Sequence, residues 1–181
     1  MRLRDCGSVA LSMSLIVLYI GKGKGKTSAC LGQALRAKGH GYPVAFCQFI
    51  KRNGTSGEQR LLASLLGEAF RAGGLGFVRN VPDRAPHRRE ALALCAWACS
   101  RLVSSWLLIA DEILYAWSFG LLTDDELASL VDCAQKESCN LVLSGACAPD
   151  WLLERADCVT EMLARKHPYQ LGKRATVGID Y

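Results

Sequence analysis

The sequence lacks the residue spacings of folds that are held together by metal ions or disulfides. Its three histidines are far apart, and none of its nine cysteines belongs to a C-x-x-C pair. This spacing argues against a structural zinc site, whose ligands usually come in close pairs. An odd number of cysteines in a chain of 181 residues also argues against a disulfide framework. We expect the cysteines to be free thiols, buried as small apolar residues in a reducing compartment.

The sequence also lacks the dense positive charge of duplex-DNA-binding proteins and the long apolar run of membrane proteins. A net charge of +5 suits an anionic small ligand, and we expect no nucleic-acid partner. The apolar run from Val9 to Ile20 follows Arg2 and Arg4 and imitates a signal peptide. It is too short to span a bilayer, and no small-residue cleavage site follows it. We therefore expect a cytoplasmic protein with no membrane partner.

Length and composition favour one globular domain. Half of the residues are apolar and 22% are charged, which is typical of folded proteins. A chain of 181 residues is too short for two well-packed domains. We expect Met13 to be the natural start, with residues 1–12 as a disordered extension and residues 13–181 as the domain.

Short apolar segments alternate with helical patterns along the chain. Strands are expected at 15–20, 43–50, 75–79, 106–110, 140–143 and 158–162. Helices are expected at 26–38, 58–66, 92–103, 123–134 and 149–155. Strands that are buried on both faces and alternate with helices indicate a parallel sheet with right-handed crossovers.

Apolar spacing predicts which side of each helix faces the core. In the first helix, Leu31 and Leu35 lie one turn apart, and Gly39 ends the pattern. Thr123 and Glu126 form a capping box at the start of another helix. The helix after that box is expected to bury Leu127, Leu130, Val131 and Ala134. The helix at 92–103 is expected to bury Leu92, Cys95, Ala96, Cys99, Leu102 and Val103.

The strongest local signal is a glycine- and lysine-rich segment between the first strand and the first helix. Glycines let backbone N–H groups converge on an anion, and a helix N-terminus favours negative charge. Lys26 would reach phosphate oxygens, and the Thr27 hydroxyl would meet Mg²⁺. The expected nucleotide-binding residues are Gly21, Lys22, Gly23, Lys24, Gly25, Lys26, Thr27 and Ser28. This motif predicts an α/β P-loop NTPase fold, a RecA-like three-layer sandwich around a mostly parallel sheet.

The loop departs slightly from the general P-loop pattern. G-x-x-x-x-G-K-[ST] would need a glycine at position 20, where the chain has Ile20. The alternative interpretation is a flexible, lysine-rich surface turn. The strand and helix on either side of the loop favour a phosphate site.

A second signal is the acid pair Asp111-Glu112 at the end of an apolar strand. In P-loop proteins this position holds a carboxylate that binds Mg²⁺ directly or through water. We expect Thr27, Asp111 and Glu112 to hold the metal, and Lys26, Thr27 and Glu112 to be catalytic. An acid pair that only begins a helix is the alternative.

Further short segments follow one another in a specific order. They are Gln48-Phe49-Ile50-Lys51, Gly57-Glu58, Gly76-Phe77, Ala156-Asp157, Val159-Thr160-Glu161, Lys166-His167 and Gly178-Ile179-Asp180-Tyr181. Together with the loop and the acid pair, they resemble the P-loop ATP:corrinoid adenosyltransferases, the cob(I)alamin or cob(I)yrinic acid a,c-diamide adenosyltransferases. The resemblance runs from about residue 15 to residue 181.

The resemblance implies a reaction in adenosylcobalamin synthesis or salvage. A Co(I) corrinoid, the substrate, attacks C5′ of ATP and expels inorganic triphosphate, with Mg²⁺ as cofactor. Family members hold ATP with its γ-phosphate deep in the loop. The nucleophile is the cobalt, so no protein nucleophile is required. The resemblance also implies an external reductant, such as a flavoprotein, a homodimer, and corrinoid contacts by Glu58, Phe77 and Arg79.

The chain departs from the family pattern at two positions. Arg79 stands where the family has a tryptophan that packs against the corrin, so an aromatic wedge is replaced by a flexible cation. We therefore hypothesise a preference for a corrinoid without a lower base, such as cobinamide. Ala146 stands where the family has an arginine, which removes one possible phosphate or partner contact.

Two other functions are consistent with a P-loop, because this fold alone does not decide the reaction. The first is a small kinase or ATPase that transfers only the γ-phosphoryl group. The second is a divergent nucleotide-binding relative with weak or no adenosyltransferase activity.

Overall fold

The computed structural model describes residues 14–76, 78, 84–166, 172 and 174–181. The expected extension at 1–12 and the expected start at Met13 lie outside these residues. Within the described part, six strands form one sheet in the order β3-β2-β4-β5-β1-β6, and every neighbouring pair is parallel. The strands are β1 (Ile16–Ile20), β2 (Val44–Gln48), β3 (Phe70–Ala72), β4 (Leu107–Asp111), β5 (Asn140–Ser144) and β6 (Cys158–Glu161).

Helices cover both faces of this sheet. They are α1 (Lys26–Gly39), α2 (Gly57–Leu66), α3 (Ala85–Leu102), α4 (Ile113–Ser118), α5 (Asp124–Lys136) and α6 (Asp150–Arg155). Helices α1 and α2 pack in one apolar cluster with alternate strand residues such as Phe46 and Ile109. Helices α3 to α6 pack in a second cluster with the opposite strand faces, including Leu18 and Leu108. The predicted three-layer α/β fold with a parallel sheet is confirmed.

Most of the predicted elements are confirmed within two residues at each end. Helix α3 differs, because it begins at Ala85, well before the expected position 92. The capping box of α5 is present: Thr123 and Glu126 exchange backbone-to-side-chain hydrogen bonds. The face predicted for α5 is fully buried.

The strand predicted at 75–79 is wrong. The strand in this region is β3, and residues 75, 76 and 78 are not in a strand. After β3 the chain turns tightly against the end of β2: a Cβ on Gly74 would come within 2.1 Å of the Ile50 backbone. Gly76 has φ +94 and donates its N–H to the Ile50 carbonyl. The backbone N–H groups of this glycine-rich turn are already hydrogen-bonded, so they are not available to pair with a neighbouring strand.

Two predicted helix faces are only partly correct. Helix α1 buries Cys30, Ala34 and Ala37, whereas Leu35 is 60% exposed. Helix α3 buries the set Ala91, Leu94, Cys95, Ala98 and Leu102, whereas Val103 is 76% exposed. In α1 small residues face the sheet, because they let the helix axis approach it closely, and Leu35 lies nearer to solvent. Helix α3 buries Leu94 and Leu102 together with its small residues.

The cysteines only partly follow the prediction. All eight in the described residues are free thiols, as expected. Cys30, Cys47, Cys95 and Cys139 are buried, whereas Cys147 and Cys158 are exposed because they lie in the loop after β5 and in the edge strand β6. Among the described residues, no helix has both the length and the apolar character needed to cross a bilayer.

Candidate nucleotide-binding site

The glycine-rich loop connects the end of β1 to the start of α1. Gly21 and Gly25 have φ of +108 and +117, values that disfavour any residue with a side chain. A Cβ on Gly21 or Gly23 would lie within 2.6 Å of the Met162 carbonyl oxygen. The glycines are therefore required both by the turn itself and by the close approach of the chain that follows β6.

Lys26 begins α1 and folds back over the loop. Its ammonium donates to the carbonyl oxygens of Gly21 and Gly23, both at 2.7 Å, and lies 5.9 Å from the centre of the Tyr115 ring. Burial lowers the pKa of Lys26, while the carboxylates of Glu112 and Asp111 act in the opposite direction. The lysine thus lies inside the loop.

Asp111 ends β4 and is completely buried. Ser144, at the end of β5, donates to its Oδ1 at 2.7 Å. Gln48, at the end of β2, donates to Oδ2 at 3.1 Å, and the Thr27 hydroxyl donates to Oδ2 at 3.0 Å. Because the carboxyl ends of parallel strands share one sheet edge, these side chains meet beside the glycine loop.

Lys51 adds a cation to this group. Its ammonium lies 3.0 Å from Thr27 Oγ1, 3.0 Å from Glu58 Oε1 and 3.5 Å from Asp111 Oδ2. Burial acts to lower the pKa of Lys51, but Asp111, Glu112 and Glu58 together outweigh it and raise this pKa. Lys51 is therefore charged at neutral pH.

Glu112 combines an unusual backbone conformation with a buried carboxylate oxygen. It adopts φ +65, which is unusual for a residue with a side chain, and its N–H donates to Ser144 Oγ. Its Oε2 is buried with no hydrogen-bond partner among the described residues. Burial raises the pKa of Glu112 to about 7, and the charge of Asp111 adds to this rise.

A cleft of about 490 Å³ opens over the loop. Lys24, Lys26, Lys51 and Glu112 line it together with residues 178–181. Lys24 pairs with the Asp180 carboxylate and also donates to the Ile179 carbonyl oxygen. The segment 178–181 thus lies against the loop and covers part of the cleft.

The predicted site residues fall into two groups. Thr27, Asp111, Glu112 and most of the 21–28 loop lie around this one cleft. Glu58 lies there too, bonded to Lys51, and its expected corrinoid contact remains a prediction. Phe77 and Arg79 lie outside the described residues.

Sequence reasoning assigned no role to Gln48, Lys51 or Ser144. The available signal was the position of each residue at or just after the end of an apolar strand. Only the strand order shows that β2, β4 and β5 are neighbours, so that these three residues converge on Asp111.

The fold and the glycine loop define a P-loop nucleotide-binding protein. Among solved structures, the genome packaging NTPase B204 from Sulfolobus turreted icosahedral virus 2, solved in complex with AMP, is similar in fold with a TM-score of 0.52. That match is 14% identical and covers 89% of this chain and 80% of the viral protein.

The family is more specific. The model of the ATP:corrinoid adenosyltransferases BtuR/CobO/CobP matches residues 12–181, and the chain belongs to this family. A corrinoid adenosyltransferase from Sinorhizobium sp. is 34% identical over 173 residues, which cover 92% of this chain and 80% of the relative. One from Escherichia coli K12 is 32% identical over 169 residues, covering 92% and 85%.

Proposed function

We propose that this protein transfers the 5′-deoxyadenosyl group of ATP to the Co(I) centre of a corrinoid. Cobalt donates an electron pair to C5′, so that a Co–C bond forms and the metal becomes formally Co(III). The C5′–O5′ bond breaks, and its electron pair leaves with inorganic triphosphate. The observation that carries this proposal is a cleft with several lysines around a glycine loop, in a chain of this family.

The lysines support the choice of leaving group. Negative charge develops on the triphosphate as it departs, and cations that meet this charge lower the barrier. Lys24, Lys26 and Lys51 all line the cleft. Binding and orientation by the protein are sufficient otherwise, because the attacking electron pair belongs to the substrate cobalt.

Thr27, Asp111 and Glu112 would hold Mg²⁺ beside the phosphates. The unpartnered Glu112 Oε2 and the Thr27 hydroxyl fit a hard cation that prefers oxygen ligands. Bound Mg²⁺ would neutralise charge on the triphosphate oxygens. Ser144 and Gln48 orient Asp111 for this role.

Other parts of the proposal concern partners. An external reductant, such as a flavoprotein, would supply Co(I), and the active form would be a homodimer. Glu58, Phe77 and Arg79 would contact the corrinoid. With Arg79 in place of the family tryptophan, the chain would prefer a corrinoid without a lower base; equal rates on cobinamide and cobalamin would contradict this preference.

The proposal is tested by anaerobic incubation with Mg·ATP and chemically reduced cobinamide or cobalamin. We expect inorganic triphosphate to appear in step with a light-labile Co–C absorbance. Lys26→Met should abolish both products, whereas Lys38→Met, at the far end of α1, should leave them unchanged. Release of ADP would instead indicate a kinase or ATPase, and ATP binding without any product would indicate an inactive relative.

A further inference from the structure

Lys51 contacts the loop threonine and the strand-end aspartate, the two kinds of residue that hold Mg²⁺ in P-loop proteins. The Thr27 hydroxyl donates to Asp111, so the Thr27 Oγ1 lone pairs are directed elsewhere, and Lys51 donates to that oxygen at 3.0 Å. The same ammonium reaches Glu58 Oε1 and Asp111 Oδ2. One cation therefore bridges three oxygens on three different segments of the chain.

We propose that the Lys51 ammonium is a tethered cation that replaces the divalent metal in the nucleotide-free protein and moves to the triphosphate when Mg·ATP binds. Lys51 thus couples metal entry to nucleotide entry. This inference rests on the proposed nucleotide and metal site. It does not depend on the corrinoid reaction.

Charge balance supports this role. Asp111 is completely buried and Glu58 is mostly buried, and removing carboxylates from water is costly unless a cation pairs with them. The other donors to Asp111, which are Ser144, Gln48 and Thr27, are neutral. Within the part of the chain that the structure describes, Lys51 is the only cation in a salt bridge with Asp111 or Glu58.

The position of the side chain supports the movement. Lys51 follows β2 by three residues, and its side chain is 21% exposed and lines the cleft. A lysine carries a compact charge on a flexible four-carbon stem, so its ammonium can move several ångströms without a backbone change. Lys26, in contrast, is bonded to two loop carbonyls.

Asp111 and Glu112 would need further oxygen ligands, such as the Thr27 hydroxyl and the phosphates, to complete a metal shell. In the described ranges, no three histidine, cysteine, aspartate or glutamate side chains are arranged to hold a metal ion. With Lys51 in place, the nucleotide-free protein should bind divalent metal weakly, because a cation already occupies these oxygens. The metal would gain its remaining ligands from the phosphates.

The test measures Mn²⁺ binding to the nucleotide-free protein by electron paramagnetic resonance. We expect Lys51→Met to bind Mn²⁺ at least tenfold more tightly than the wild type. Lys51→Arg should stay close to the wild type because it keeps the cation, and Lys38→Met serves as a control for loss of one positive charge elsewhere. Mn²⁺ affinity of Lys51→Met equal to that of the wild type would overturn the proposal.

A second measurement does not require the methionine variant to fold. In wild-type protein with ¹³C-labelled lysine, the Lys51 Cε resonance, assigned by its absence from Lys51→Arg, should shift on addition of Mg·ATP and stay in place on addition of Mg²⁺ alone. No shift with Mg·ATP, or an equal shift with Mg²⁺ alone, would contradict the movement. Neither experiment contains a corrinoid, so failure here leaves adenosyl transfer to be judged by its own products.

Discussion

Ser144 shows how one neutral residue can organise a charged site. Its hydroxyl donates to Asp111 Oδ1 and accepts the N–H of Glu112, and the residue is completely buried. The hydroxyl therefore links the two carboxylate residues, at the point where the backbone turns into φ +65 at Glu112.

Ser144→Ala should be both less stable and less active. The substitution leaves a buried carboxylate oxygen and a partly buried N–H without this partner, a loss of about 1–3 kcal/mol. We expect kcat/KM to fall at least tenfold, because Asp111 and Glu112 lose a shared anchor. Urea unfolding and steady-state kinetics measure both effects. Ser100→Ala is the control, since its hydroxyl bonds only an exposed helix carbonyl; equal behaviour of the two variants would contradict the role of Ser144.

Asp180 forms an ion pair with the ammonium of Lys24, so this cation is less available to a bound triphosphate. Asp180→Asn should therefore increase ATP affinity about two- to fivefold, because partly exposed ion pairs contribute at most about 1 kcal/mol. Isothermal titration calorimetry with ATP measures this change. Asp132→Asn removes a surface pair with Arg155 far from the loop and should not alter affinity. A decrease in affinity for Asp180→Asn would indicate that residues 178–181 help to hold the nucleotide.

At the scale of elements, the start of α5 is locked to α3. Arg88 of α3 makes a bidentate contact with Glu126 and also donates to the Leu121 carbonyl oxygen. Glu126 in turn completes the capping box with Thr123. One carboxylate thus stabilises a helix N-terminus and joins two helices.

This arrangement predicts a pH dependence of stability. The hydrogen bond from Arg88, with that from the Thr123 N–H, lowers the pKa of Glu126 to about 2. Since this folded pKa lies below the unfolded value of about 4.3, the contribution is complete above the unfolded pKa and is lost as the pH falls towards 2. Thermal melts at pH 7, 5 and 3 should show a Tm deficit of Glu126→Gln that shrinks at the lowest pH.

Glu68→Gln is the matched control, because Glu68 is exposed in the turn after α2. Its Tm should follow the wild type at every pH. A deficit of Glu126→Gln that is the same at pH 7 and pH 3 would show that the charge pair adds no pH-dependent stability.

The elements themselves could be predicted where local sequence determines them. Apolar strand segments, the glycine loop and the Thr123 capping box are local patterns, and they were found as expected except for the strand at 75–79. The faces of α1 and α3 were predicted only in part, because Leu35, Leu92 and Val103 were expected to be buried from their apolar character alone. Close helix–sheet packing instead selected Ala34, Ala98 and their small neighbours.

At the scale of the whole molecule, strand order decides what the site contains. The sequence predicted parallel strands and an acid at the end of β4, but periodicity carries no information on which strands are neighbours. Placing β2 and β5 on either side of β4 brings Gln48 and Ser144 to Asp111, and the turn after β2 adds Lys51. These contacts are long-range, and no local pattern could predict them.

The most direct test of the proposed function follows one oxygen atom. ATP labelled with ¹⁸O at O5′ is incubated with reduced corrinoid and protein, and the products are analysed by mass spectrometry. Transfer of the adenosyl group breaks the C5′–O5′ bond, so the label should leave in inorganic triphosphate, in equal amount with the light-labile product. Label that remains in ADP would mean that the γ-phosphoryl group was transferred instead, and would contradict the proposed function.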